Sequence, residues 1–333
     1  MKFGKRLRVA MFGLAASLVL SACGGTENTG SGPATEGPTR VVVDAEGTEV
    51  TVPEHPERVV VLSEPTMDGT LALGVTPIGA VTGRGQQTVP NYLADVASDL
   101  PILGGIAQPN FEAIGAAKPD LILVDGTSIN NNPPVVAALR KIAPVVYTGY
   151  AGGDWRVNFR RVAEALNMVD EGEKVIAEYD AKVKEAKPKL AKYADNTFSI
   201  VRWQGTGAAL ILKELLPGRA LTDLGLKRPA NQDREGRGHS DPVSLENLKS
   251  IDADYMFFGT LGGSSIENPN AGGTTDIKGG EKALAEAEKV PGFTELSAYQ
   301  NDHIILVDGS SWTSTGGPIL MNSIVDDVLE ALQ

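Results

Sequence analysis

The chain has 333 residues, 42% of them apolar and 22% charged, and a formal net charge of −12. That length is enough for two domains with well-buried cores. The acidic balance argues against binding nucleic acid or adhering to anionic lipid through charge, because both need basic patches that neutralise phosphate.

Lys2, Lys5, Arg6 and Arg8 precede an apolar run from Val9 to Leu20 that is too short to span a bilayer. Residues 1–23 therefore have the layout of a secretory signal. The segment Leu20-Ser21-Ala22-Cys23 resembles the lipobox of bacterial lipoproteins, which implies that Cys23 is diacylated and becomes the mature N-terminus. Loss of the four basic residues takes the net charge from −12 to −16. Two acyl chains hold a protein stably where one does not, so the expected location is the extracytoplasmic face of a cell membrane. Cys23 is the only cysteine, and no disulfide can form within one molecule. Residues 24–39 read as a flexible linker. Thr26 to Thr39 lacks any large apolar residue, and a coil of that length spans roughly 20 Å.

From Arg40 the chain alternates short β-branched runs with amphipathic segments, which predicts α/β layering. Arg40–Val43 and Glu49–Val52 read as an added hairpin. Strands are expected at Val59–Leu62, Ile78–Thr82, Leu121–Val124 and Val145–Tyr147, with helices at Thr66–Leu73 and Pro134–Ile142 between them. Asp154 to Tyr193 is strongly helical with a break near Asn167–Glu171, and Pro188 predicts a kink or an end. Strands at Phe198–Trp203, Tyr255–Phe258 and Ile304–Val307 follow, and a final helix runs from about Pro318 to Leu332.

An internal repeat links the halves. Phe111-Glu112-Ala113-Ile114 leads through Lys118-Pro119-Asp120 into the strand at Leu121. Leu245-Glu246-Asn247-Leu248 leads through Asp252-Ala253-Asp254 into the strand at Tyr255, at a constant offset of 134 residues. The expected organisation is an N-terminal lobe at 40–168, a connecting helix at 169–195 and a C-terminal lobe at 196–333. Both lobes would be Rossmann-like, with mostly parallel sheets and a ligand cleft between them. A helical connection of this kind should restrict hinge motion to small angles and shears.

These features resemble the class III substrate-binding proteins of ABC importers, the family serving iron–siderophore, haem and vitamin B12 uptake. The resemblance covers Arg40 to Leu332. Its first-half segments are Arg58–Leu62, Leu71–Gly79 and Phe111 through Ile122. Leu221–Pro229, Val290-Pro291-Gly292-Phe293 and Gly316-Gly317-Pro318 resemble the iron-siderophore branch. The resemblance implies capture of a ferric siderophore, of hydroxamate or mixed oxygen-donor type, and delivery to a permease with its ATPase subunit. It also implies a docking glutamate on each lobe, which the repeat places at Glu112 and Glu246. Exposed carboxylates on rigid lobes can set register with basic partner residues, although a carboxylate in a first helical turn is also favoured by the helix dipole.

Ligands of open α/β lobes gather outside the carboxyl ends of the strands. Arg84 in Gly83-Arg84-Gly85, Arg202 and Trp203 at the end of a strand, Trp312, Tyr147 and Tyr150 are therefore the ligand-binding candidates. Guanidinium forks suit the anionic oxygens of an iron centre, and aromatic faces suit an organic scaffold. Trp203 and Trp312 could instead pack the core, and Trp155 reads as a staple at the start of the interlobe helix. The polar stretch Asn231 to Asp241 could place Arg234, Arg237 and His239 over the opening as a gate.

The alternatives are haem or cobalamin in the same cleft, a bare-metal-binding protein, an adhesin or structural lipoprotein, and an enzyme. The three histidines, His55, His239 and His303, do not fall at metal-ligand spacing, so no metal site or cofactor is expected. GxxxxGK(S/T), HExxH and a catalytic cysteine are missing, and GxG at Gly205 fails at Leu210. The expected protein is a monomer and not an enzyme.

Overall fold

The computed structural model describes residues 37–127, 132–263 and 273–333. The lipidation candidate Cys23 and most of the linker lie outside the described residues. The first strand opens at Thr39, the last position of the expected linker, and Thr39–Val43 pairs antiparallel with Glu49–Pro53 as a hairpin.

Two sheets follow. The first is fully parallel, in the order Gly79–Ala80, Val59–Val61, Leu121–Val124, Val145–Tyr147. Its first strand in sequence lies between the second and the third, so the sheet has a topological switch point at the carboxyl end of Val59–Val61. The second sheet runs Asp241–Val243, Gly207–Leu210, Phe198–Gln204, Tyr255–Gly259, Ile304–Leu306. Its last three strands are parallel, whereas Gly207–Leu210 turns back on Phe198–Gln204 through Gly205 and pairs antiparallel on both sides.

Strand alternation assigns each sheet two different faces. Val59, Val61, Leu121 and Leu123 join a core shared with Phe198, Ile200 and Phe257 of the second sheet. Their neighbours Val60, Ile122 and Val124 point into a separate outer core of the first lobe. Val201, Trp203, Met256 and Phe258 do the same in the second. Helices fill the shared layer. Trp155–Ala165 and Val169–Ala186 are broken around Asn167, which has φ 59°. Gly172, Ile176, Tyr179, Val183 and Ala186 form one buried stripe on the second of these. The α-helix ends at Ala186, and Pro188 starts a tighter 3₁₀ turn over Lys187–Tyr193, where its missing N–H costs least. Trp155 packs edge-on against Tyr179, with 5.2 Å between ring centroids.

The repeat has a structural counterpart. Asp120 accepts the backbone N–H groups of Glu57 and Arg58 at 2.8 and 3.0 Å, just before the first strand of lobe one. Asp254 accepts the N–H of Thr197 at 2.7 Å, just before the first strand of lobe two. The preceding elements differ. Phe111–Ala117 is an α-helix capped by Asn110, but Leu245–Ile251 is a 3₁₀ stretch kinked at Asn247, and Ser244 makes no side-chain cap.

Buried Asp68, in the helix Glu64–Ala72, accepts the N–H groups of Ile319 and Leu320 at 2.9 and 3.0 Å. It thereby caps the C-terminal helix Pro318–Leu332 from the opposite end of the chain. No helix among the described residues is long and apolar enough to cross a membrane.

Candidate functional site

A cavity of about 410 Å³ lies between the lobes, at the carboxyl ends of their parallel strands. Gly126 and Thr127 follow the strand Leu121–Val124 and form one wall. Arg202, Ser240 and the Thr313–Thr315 segment form the other, and Arg84, Tyr150, Arg237 and His239 are among the remaining lining residues.

Arg84 is held in place by its own lobe. Its Nη1 donates to Glu64 Oε2 at 2.5 Å, its backbone N–H donates to Glu64 Oε1 at 2.8 Å, and Nη2 donates to the Thr127 carbonyl. Glu64 is buried at the start of its helix and also accepts Ser314 Oγ, from the second lobe, at 3.0 Å. Behind this wall Asp125 accepts from Thr127 Oγ1 at 2.6 Å. Burial pushes the Asp125 carboxyl up to about 6, against the opposing effects of Thr127 and of the Arg84 charge.

Arg202 enters from the other side. Positions 198 and 200 of its strand face the shared core, so alternation carries 202 onto the same face, where that core gives way to the cavity. Its Nη2 donates to Ser240 Oγ, and among the described residues it forms no ion pair with a carboxylate. Burial lowers its pKa, and the like charge of Arg84 lowers it further. Arg237 is exposed and has no ion pair or hydrogen bond among the described residues. His239 Nδ1 lies 2.9 Å from the Ser240 carbonyl oxygen.

Of the six ligand-binding candidates, Arg84, Arg202 and Tyr150 line this cavity. Trp203, Trp312 and Tyr147 do not, which corrects the expectation that both tryptophans face the ligand. Trp203 lies one residue out of phase with Arg202, so it enters the outer core against Phe258 and Phe293, and its Nε1 donates to the Gly205 carbonyl at 3.0 Å. Trp312 stacks on Phe257 at 4.2 Å and donates to Asp327 of the C-terminal helix at 2.7 Å. Tyr147 is buried in the first lobe's outer core, with its ring 5.3 Å from that of Tyr150.

Ser240, Thr127 and Thr313–Thr315 were not anticipated. Thr127 lies just beyond a strand, where the strand-end rule points, and Thr313–Thr315 follows the short helix Gly309–Trp312, but short hydroxyl side chains carry no signal of their own. Arg237 and His239 come from the polar stretch Asn231 to Asp241, and Arg234 of that stretch instead pairs with Asp241. The histidines stay apart, and no group of three or more His, Cys, Asp or Glu among the described residues could hold a metal. Glu112 and Glu246 are exposed, each one residue after an exposed apolar side chain, Phe111 and Leu245.

The cavity can hold an anionic, oxygen-rich ligand, with guanidiniums and hydroxyls as donors and one aromatic face.

A family model described as periplasmic binding protein matches residues 59–310. The chain is 31% identical over 329 residues to the "Probable siderophore-binding lipoprotein YfiY" of Bacillus subtilis, covering 97% of each. It is 28% identical over 321 residues to the Fe(3+)-citrate-binding protein YfmC of the same organism, covering 95% of this chain and 94% of the relative. Among solved structures, Staphylococcus aureus SirA complexed with staphyloferrin B superposes with a TM-score of 0.71 at 26% identity, over 88% of this chain and 98% of that one.

Proposed function

We propose, since the chain belongs to the periplasmic binding protein family, that it captures a ferric siderophore outside the cytoplasmic membrane and delivers it to an ABC importer for iron uptake. The observation that carries this reading is the pair Arg202 and Arg237, two guanidiniums without carboxylate partners among the described residues, at one interlobe cavity of a strongly acidic chain. Cationic groups left unpaired at a cavity favour an anionic occupant. The siderophore supplies every ligand to iron, and the protein supplies donors to the outer oxygens of the complex.

In this reading Arg84 and Arg202 grip those oxygens from the two lobes, and the Tyr150 ring covers part of the organic scaffold. Glu64 fixes the Arg84 fork, so little side-chain freedom is lost when the ligand arrives. Cys23 carries the lipid anchor, and Glu112 and Glu246 meet basic residues of the permease, one on each lobe. The lobes follow the divisions 40–168 and 196–333, joined by the helical segment 169–195.

Calorimetric titration of the purified protein with ferric siderophores, the same chelators without iron, haem and cobalamin tests the proposal. Saturable binding of a ferric complex with none by its iron-free chelator is the expected result. Binding confined to haem or cobalamin would overturn it. Within the site, Arg202→Ala should weaken the ferric complex by about 1–3 kcal/mol, the scale for a charged hydrogen-bond donor.

A further inference from the structure

Resting on the reading of the cavity as a ferric-siderophore site, we infer that its ligand is a carboxylate-bearing complex, one in which α-hydroxycarboxylates hold the iron, in preference to a trihydroxamate or a triscatecholate. The three chemistries present different outer surfaces. Three hydroxamates neutralise ferric iron and leave a complex with no anionic excess of its own. Three catecholates leave a strongly anionic complex that presents aromatic faces on all sides. Hydroxycarboxylate chelators leave an anionic complex whose periphery is carboxylate and alcohol oxygen.

The lining matches the third surface. Among the described residues Arg202 and Arg237 have no carboxylate partner, and Arg84 is the only lining guanidinium with one, Glu64. The cavity therefore keeps a cationic excess that a neutral complex would leave uncompensated. A planar guanidinium pairs with a carboxylate through two parallel hydrogen bonds, which a point charge cannot do. Ser240 and Ser314 add hydroxyls suited to alcohol and carboxylate oxygens.

Aromatic walls are scarce. Trp203, Trp312 and Tyr147 are turned into cores, and among the described lining residues Tyr150 is the one Phe, Tyr or Trp ring, with the smaller imidazole of His239 besides. A triscatecholate would meet one aromatic face and a ring of polar groups. The volume of about 410 Å³ also lies toward the small end of the ~300–1,000 Å³ typical of ligand cavities, which suits a compact chelate.

The test is equilibrium binding of the purified protein to ferric citrate, ferric rhizoferrin (a larger hydroxycarboxylate complex), ferrioxamine B (a trihydroxamate) and ferric enterobactin (a triscatecholate). At least one hydroxycarboxylate complex should bind about tenfold or more tighter than the other two classes. Arg202→Gln and Arg237→Gln should each weaken it about tenfold, a factor that corresponds to about 1.4 kcal/mol. Raising the salt concentration should weaken it further, as expected for a contact between unlike charges near a surface. Tighter binding of ferrioxamine B or ferric enterobactin overturns the inference and leaves the ferric-siderophore reading standing. Binding of none of the four, with haem or cobalamin bound instead, overturns both. Salt-insensitive binding that Arg237→Gln leaves intact overturns the inference even where ferric citrate binds, because Arg237 is exposed and its loss should not disturb folding.

Discussion

Gly85 of the first lobe lies against the carbonyl of Leu261 in the second, so closely that a Cβ at Gly85 would sit 1.7 Å from that oxygen. Gly85 also has φ +67°, the left-handed region that glycine enters freely. The loop that carries Arg84 thus touches the opposite lobe through bare backbone.

Gly85→Ala should therefore push the lobes apart as well as strain the loop. The left-handed conformation alone costs roughly 1–2 kcal/mol for a residue with a Cβ. Gly47→Ala supplies the control, because Gly47 has φ +79° and open space around its Cβ position. Both variants should lose stability, but only Gly85→Ala should weaken the ferric complex, by about tenfold or more. Equal ligand affinity in the two variants, measured by calorimetry, would show that the Gly85–Leu261 approach does not govern closure.

Asp68 gives the fold a pH dependence of defined sign. Burial pushes its carboxyl up to about 6 from an ordinary 3.8, although the N–H groups of Ile319 and Leu320 favour the charged form. The folded chain therefore holds this proton more tightly than the unfolded chain does. The stabilising contribution is complete below about pH 4 and is lost as the pH rises through about 6. Asp68→Asn does not titrate there. Urea unfolding of both proteins at about pH 4 and about pH 7 should show the difference shifting toward the wild type at the lower pH. A difference independent of pH would mean that Asp68 does not carry this shift.

Trp203 and Trp312 separate packing from binding. Trp203→Phe removes the hydrogen bond to Gly205 and some volume from the outer core, and should cost about 1–3 kcal/mol of stability. Affinity for the ferric complex should stay within about twofold, since the ring does not line the cavity. Thermal unfolding and calorimetry on the same sample decide this. Lost affinity with unchanged stability would put Trp203 back at the ligand.

The contrast between Arg202 and Trp203 shows what the sequence makes legible. Both end the strand Phe198–Gln204, and the strand-end rule brings attention to both. Which of them meets the cavity depends on the phase of alternation, and that phase is fixed by which face the shared helical layer covers. In the run Phe198 to Trp203 the two polar residues, Ser199 and Arg202, fall on opposite faces, and apolar side chains occupy both faces because this strand is largely buried on each side. It therefore carries no polar–apolar beat from which to read the phase. Arg84 was legible for the opposite reason, since a charged residue between glycines after a strand has little structural use in a core. The hydroxyl groups of Ser240 and Ser314 were illegible because their role comes from residues distant in sequence, Arg202 for Ser240 and Glu64 of the opposite lobe for Ser314. The repeated aspartates Asp120 and Asp254 were visible as a pattern, and their shared capping of the first strand of each lobe gives that pattern a structural cause.

Glu112 and Glu246 offer a final separation, between holding the ligand and handing it on. Both are exposed, and neither lines the cavity. Glu112 sits in the first turn of a helix capped by Asn110, where reversing the charge forfeits about 0.3–1 kcal/mol of dipole stabilisation. Glu246 lies in a kinked 3₁₀ stretch that lacks an aligned dipole of that length, so its reversal should cost less. Glu112→Lys and Glu246→Lys together should leave the chain folded and its ferric complex bound with unchanged affinity. If the two carboxylates meet basic residues of a permease, like charges would then face each other on both lobes, and iron uptake by cells carrying the double variant should fall to background. Each single reversal should have a smaller effect, because the remaining lobe still sets the register. Uptake equal to wild type in the double variant, at equal protein level, would remove both residues from docking. Lost binding in vitro would show instead that the substitutions had disturbed the lobes.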